Sequence, residues 1–171
     1  MVKVLWMTGL SGSGKTTISS VLREKLEKLG KKVKILDGDD VRNTLHKHLG
    51  FTPQDIKQNN RLIVDLCKRH SKEFDFILVP IISPFRESRE YARKELGLDF
   101  IEVFIKCSLK ECIRRDVKGH YKKALSGEME NFIGISDNVP YEEPKSPEII
   151  ANTEKESVEE SVEKILKSLA M

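Results

Sequence analysis

The sequence predicts an α/β protein whose mainly parallel sheet is covered by helices on both faces. Three observations carry that reading. Short apolar runs alternate with segments whose apolar residues recur at helical spacing, and the first run feeds a glycine-rich turn that opens a helix. The three cysteines form no staple that would replace a hydrophobic core. A chain of 171 residues, 39% hydrophobic, buries roughly 70% of its unfolded surface, enough for one domain spanning 1–171.

Residues 2–8 read as a buried strand ended by Gly9. Residues 16–30 read as a helix striped by Ile18, Val21, Leu22, Leu26 and Leu29, with Gly30 at its C-terminal stop. Residues 32–37 form a second buried strand, followed by a crossover. Thr52, Pro53 and Asp55 supply a cap, a first-turn proline and a first-turn acid for a helix reaching about Glu73. The most apolar run, 74–82, is expected at the centre of the sheet, with Ser83 and Pro84 ending it before a charged helix over 87–96. Residues 100–107 are a strand, and Ser108 with Glu111 spells a capping box for a helix ending at Arg115 or Asp116. A short strand at 148–151 and a helix striped by Val158, Val162, Ile165, Leu166 and Leu169 close the alternation. Residues 117–147 are basic, carry Gly119, Gly127 and Gly134 and show weak periodicity, which suits a mobile lid better than a core element.

Cys67, Cys107 and Cys112, odd in number and without a CxxC pair, argue for a reducing compartment, and the cytoplasm is the expected location. No window approaches a membrane span, and Met1 to Met7 runs into Gly9 without a cleavage pattern. The net charge of +3 comes from interleaved bases and acids, so neither a nucleic-acid nor a membrane partner is expected. A 33% charged content with Gln54 and Gln58 as the only glutamines resembles a heat-adapted composition.

Gly9-Leu10-Ser11-Gly12-Ser13-Gly14-Lys15-Thr16 satisfies G-x-x-x-x-G-K-[ST] between a predicted strand and a predicted helix. Glycines let backbone N–H groups curl toward phosphate oxygens, the helix start adds partial positive charge, and Lys15 can bridge β and γ phosphates. Thr16 is the expected Mg²⁺ ligand, with Thr17 beside it in the ATP site. The fold is therefore expected to be of the P-loop NTPase type. No N-K-x-D pattern is present and the 74–82 strand does not end in Asp, which leaves a small-molecule kinase with a lid rather than a GTPase or motor.

Asp37-Gly38-Asp39-Asp40-Val41-Arg42 follows the second strand, which parallel topology is expected to bring beside the phosphate-binding loop at the ligand edge. Asp39 can orient or deprotonate an acceptor hydroxyl and Arg42 can hold an anion; the plainer reading makes Asp39 a helix cap and Arg42 a surface residue. Lys118, Lys122 and Lys123, with Arg115 just before them, can close over a triphosphate or simply face solvent. His46, His48, His70 and His120 show no metal-ligand spacing and are assigned no catalysis.

With these residues the chain resembles the adenylylsulfate kinase family, through the Gly9–Thr16 loop, Asp37-Gly-Asp39, Arg42, Gly50-Phe51, Asn59, Arg61, Ile82-Ser-Pro-Phe-Arg86, Lys118-Gly119, Tyr121-Lys-Lys123, Asn131-Phe132 and Gly134-Ile135. The resemblance implies MgATP-dependent phosphorylation of the ribose 3′-hydroxyl of adenosine 5′-phosphosulfate, in sulfate assimilation. It implies that Asp39 lies near the acceptor hydroxyl and Mg²⁺, that Arg42, Asn59 and Arg61 grip the acceptor, and that Phe51 and Phe132 sandwich its adenine. Stacking supplies roughly 1–3 kcal/mol per base; either Phe can equally be core filling. Ser83 matches a serine described in the family as a phosphoserine intermediate; direct in-line transfer needs no such step, and a site-lining Ser83 is the favoured reading. A homodimer, with a possible sulfurylase association, is the expected assembly.

Two positions depart from the family pattern: Ile56 stands where Arg is usual, and Asp40 where Asn is. Loss of that cation predicts that Ile56→Arg lowers the acceptor KM. Phosphorylation of another small acceptor, and a silent nucleotide-sensing domain, are the alternatives, the second opposed by intact Lys15, Thr16 and Asp39.

Overall fold

The computed structural model describes residues 1–171. In chain order it runs β1 (Lys3–Thr8), α1 (Lys15–Lys28), β2 (Val33–Ile35), α2 (Gly38–Thr44), α3 (Pro53–His70), β3 (Phe76–Pro80), α4 (Arg86–Leu96), β4 (Phe100–Lys106), α5 (Leu109–Arg115), α6 (His120–Leu125), β5 (Ile149–Asn152) and α7 (Val158–Ser168). All strand pairs are parallel, in the order β2-β3-β1-β4-β5.

The period-two geometry of a strand divides the apolar residues between two faces. Val4 and Trp6 of β1 join Ile77 and Val79 of β3 in a core against Ile63, Val64 and Cys67 of α3 and Ala92 of α4. Leu5 and Met7 face the other way, packing with Leu78, Val103 and Ile105 against Ile18, Leu22 and Leu26 of α1 and Val162 and Ile165 of α7. Both faces are thus covered, as the near-continuous apolar strands require.

Local chemistry fixes the helix starts. The Thr52 hydroxyl accepts from the Asp55 N–H while the Asp55 carboxylate accepts from the Thr52 N–H, with Pro53 in the first turn; Ser157 and Glu160 form the same reciprocal box on α7. At α5 only half of the expected box forms. Ser108 accepts from the Glu111 N–H, but the Ser108 N–H goes to Glu154, and the Glu111 carboxylate turns to Arg114 and Arg115 instead.

The sheet departs from expectation in three further ways. β1, not the more apolar β3, is central, although β3 is still buried throughout because a strand lies on each side of it. β2 is a three-residue, half-buried edge strand, not a buried one: it pairs only with β3, so its other side meets solvent. β3 lies between β1 and β2, so the loop after β3 separates the two loops that were expected to be neighbours.

Residues 117–147 contain α6 and also contribute to the interior. Tyr121 packs with Leu10, Cys107 and Cys112; Ile133 and Val139 pack with Ile56 and Phe85. These contacts belong to separate clusters, which explains the absence of a single helical period.

Candidate active site

Three loops leave the C-terminal ends of β1, β3 and β2 side by side. The first carries the phosphate-binding sequence. Gly9 is required there because a Cβ would stand 2.5 Å from the Ile105 carbonyl oxygen, and Gly14 caps α1 at φ 106°, a conformation costly for other residues. No side chain caps the α1 N-terminus and no acid occupies its first turn, so its leading amides and dipole remain open to an anion.

The carbonyls of this loop are already engaged. Lys15 Nζ donates to Gly9 O at 2.9 Å and Leu10 O at 2.7 Å, the Tyr121 hydroxyl donates to Ser11 O at 2.8 Å, and the Thr153 hydroxyl donates to Ser13 O at 2.7 Å. What the loop offers a ligand is therefore its remaining N–H groups, since Gly9 N–H donates to Ile82 O and Ser13 N–H to Leu10 O. Burial pushes the Lys15 ammonium down to about 8, because a low-dielectric setting disfavours the charged form. Thr16 and Thr17 stand exposed on the first turn of α1. Arg115 braces the far side, donating to Thr153 O at 2.9 Å and to Glu111 at 2.9 Å.

After β2, Asp37 rather than Asp39 is the helix cap: its carboxylate accepts from the Asp39 N–H at 2.9 Å and from the Asp40 N–H. Asp39 is thereby freed from capping. Its exposed carboxylate meets Lys118 Nζ at 2.5 Å, which brings residues 79 apart in sequence to one point. Asp39, Arg42, Asn43, Lys47, Leu49 and Phe51 line a cleft of about 340 Å³. Arg42 donates to Gly50 O at 2.6 Å and its guanidinium lies 4.4 Å from the centre of the Phe51 ring. Phe51 is 53% exposed, so core filling is not its role.

The remaining candidates are placed less uniformly. Asn59 is buried, its Oδ1 2.7 Å from His46 Nδ1. Arg61 is exposed and lies over the Tyr91 ring of α4 at 5.3 Å. Phe132 is half-buried, edge-on to Tyr121 at 5.0 Å, and is not packed against Phe51. Lys122 and Lys123 are exposed and form no ion pair. Ile56, expected to mark a missing cation, is 2% exposed within the apolar cluster of Phe85, Ile133 and Val139.

Ser83 sits in the loop after β3, 2% exposed and at φ 45°. Its hydroxyl donates to Asn60 Oδ1 at 2.5 Å, while the Asn60 amide nitrogen donates to Ile56 O. Its carbonyl is held by Arg89 Nη1 at 2.6 Å and by the Thr8 hydroxyl. Arg89 also donates to Glu102 at 2.8 Å and to Glu142 O at 2.5 Å, and Tyr141 meets the Thr8 hydroxyl at 2.9 Å. Burial pushes Tyr141 up to about 12, so it stays a neutral hydroxyl. The sequence reading missed this frame of Thr8, Asn60, Arg89 and Tyr141, and also the Thr153 brace. The helical offset of Arg89 from Arg86 was its one local signal.

A phosphate-gripping loop on the central strand, an acid–arginine cleft on the edge strand's side and a segment folded back onto both define a P-loop phosphotransferase for a small acceptor. The family model described as adenylylsulphate kinase matches residues 1–152. The chain belongs to the adenylylsulfate kinase family. It is 48% identical over 165 residues to the adenylyl-sulfate kinase of Picosynechococcus sp., covering 96% of this chain and 92% of that one. It is 43% identical to the probable adenylyl-sulfate kinase of Archaeoglobus fulgidus, over 89% of this chain and 96% of the relative. The structure of the Mycobacterium tuberculosis APS kinase in complex with AMPPNP and APS superposes with a TM-score of 0.94 at 38% identity, covering 99% of this chain and 98% of that chain. No helix is long and apolar enough to cross a membrane.

Proposed function

We infer that the chain transfers the γ-phosphoryl group of ATP to the 3′-hydroxyl of adenosine 5′-phosphosulfate, yielding ADP and 3′-phosphoadenosine 5′-phosphosulfate. The observation that carries this reading is the convergence of the phosphate-binding loop and the Asp39–Arg42–Phe51 cleft at one sheet edge, in a chain of this family.

Triphosphate oxygens are stronger acceptors than the carbonyls that now hold Lys15, so the ammonium exchanges Gly9 O and Leu10 O for phosphate and stabilises charge as the γ-phosphoryl group moves. Asp39 exchanges Lys118 for the acceptor hydroxyl, orients it and takes its proton as the new P–O bond forms. Released Lys118 then faces the transferring group, and residues 117–147 act as a lid that excludes water. Arg42 and Asn59 hold the acceptor's anionic end, and Phe51 offers the face for its adenine. Phe132 serves as the second face and Arg61 as a further anion contact, each after moving from its present packing. Ser83 lines the site: its hydroxyl proton is given to Asn60 and no basic side chain bonds to it.

Magnesium suits the donors present. The exposed Thr16 hydroxyl and the Asp39 carboxylate are hard oxygen ligands, and no cage of three or more His, Cys, Asp or Glu exists. Such sparse protein ligation fits an ion that keeps phosphates and waters in its shell. Held by Thr16 and Asp39, such an ion would supply positive charge against the triphosphate.

The cytoplasm is the proposed location, in keeping with three free cysteines, and the proposed assembly is a homodimer that also meets a sulfurylase. Light scattering and co-sedimentation test the assembly. ADP release against a panel of adenylylsulfate, adenosine, gluconate and shikimate tests the reaction: adenylylsulfate alone should respond, and preference for another acceptor would overturn it.

A further inference from the structure

We propose that His46 is a positioning residue for the acceptor cleft: through Asn59 it fixes both the orientation of an amide and the loop that carries Phe51. His46 is 6% exposed and Asn59 3% exposed. His46 Nδ1 lies 2.7 Å from Asn59 Oδ1, so the ring N–H donates and the amide oxygen is taken. With its oxygen engaged, the amide nitrogen is the end of Asn59 left to donate. A free asparagine presents either end; one held by a ring N–H presents a donor. That choice matters for a phosphosulfate, whose oxygens are acceptors and would be repelled by an amide oxygen.

The same contact braces the chain between α2 and α3. His46 N–H donates to Val41 O, and His46 O accepts from the Leu49 N–H, each at 3.0 Å. Arg42 holds the adjoining Gly50 carbonyl and stacks on Phe51. Residues 45–51 therefore have two anchors, Arg42 on α2 and Asn59 on α3, and Lys47, Leu49 and Phe51 between or beside them line the cleft. The ATP loop shares no bond with this pair, so the effect should fall on one substrate only.

This inference rests on the acceptor being adenylylsulfate, and its test separates the two. Calorimetry with ADP and adenylylsulfate reads binding, and ADP release reads turnover, for the wild type, His46→Leu and His46→Asn. Asparagine can place an amide N–H near the position of Nδ1. Expected is a three- to tenfold weaker acceptor Kd and KM in His46→Leu, about the effect of one hydrogen bond, with ADP and ATP affinities unmoved. His46→Asn should recover most of that loss. Wild-type binding without turnover would overturn the reaction while leaving the positioning role standing. A lower melting temperature in His46→Leu with unchanged acceptor Kd would make His46 a structural brace and overturn the inference, as would failure of His46→Asn to recover affinity in a folded protein. Failure of the wild type to bind adenylylsulfate would overturn both.

Discussion

Ile56 offers a test of how packing beneath the cleft governs its use. It is 2% exposed and joins Phe85, Ile133 and Val139, a cluster that ties α3 and the loop after β3 to residues 117–147. Truncating a buried aliphatic side chain to Ala costs about 2–5 kcal/mol, and a cluster of only four buried residues can partly collapse, which places Ile56→Ala near 3 kcal/mol. For a domain of this size each kcal/mol lowers the melting temperature by about 2–4 °C, so the expected loss is about 6–12 °C by calorimetry. Ile56→Arg should be worse, because an unpaired guanidinium among apolar side chains adds several kcal/mol. The acceptor KM should rise in both variants as Ile133 and Val139 lose their seat. This reverses the expectation from the family pattern that restoring Arg lowers it. A folded Ile56→Arg protein with an unchanged melting temperature and a lower acceptor KM would refute the packing account.

Three further outcomes are expected. The lowered pKa of Lys15, about 8, means that above that pH ATP must bring a proton with it, so ATP affinity should fall by up to about tenfold per pH unit from pH 8 upward, measured by calorimetry. Toward pH 7 the ammonium becomes fully charged, and affinity should level off. Asp39→Asn should lower kcat by about 10²- to 10⁴-fold in steady-state assays and weaken MgATP binding, read by titration, far less. Ser83→Ala should lose no more than about tenfold in turnover, since its hydroxyl is committed to Asn60; abolished turnover together with labelled phosphoserine in the wild type would contradict the lining role.

The features legible in the sequence were those written locally. The phosphate-binding loop is contiguous, its glycines answer to backbone geometry, and the Thr52–Asp55 cap lies within one turn. Strand order was less accessible: the apolar content of residues 76–80 reports burial on both faces, which a strand beside the centre shares with the central one. Asp39 with Lys118, Arg89 with Glu142, and Tyr121 with Ser11 join residues 79, 53 and 110 apart, so no window could contain them. His46 was assigned no role because no metal-ligand spacing surrounds it; its partner is an amide on α3, 13 residues further along the chain. The departure at Ile56 looked like a missing charge because side-chain direction, which here points into an apolar cluster, is a property of the packed helix.

The central claim is that one cleft brings the triphosphate terminus to the ribose 3′-oxygen of adenylylsulfate. Phosphorus-31 NMR of the products formed from MgATP and adenylylsulfate, with Lys15→Ala as the inactive control, tests it most directly. The account predicts one ADP for each new phosphomonoester, coupled to the 3′ carbon's proton and absent in the control. A phosphate on any other atom, or ADP formed with inorganic phosphate alone, would contradict it.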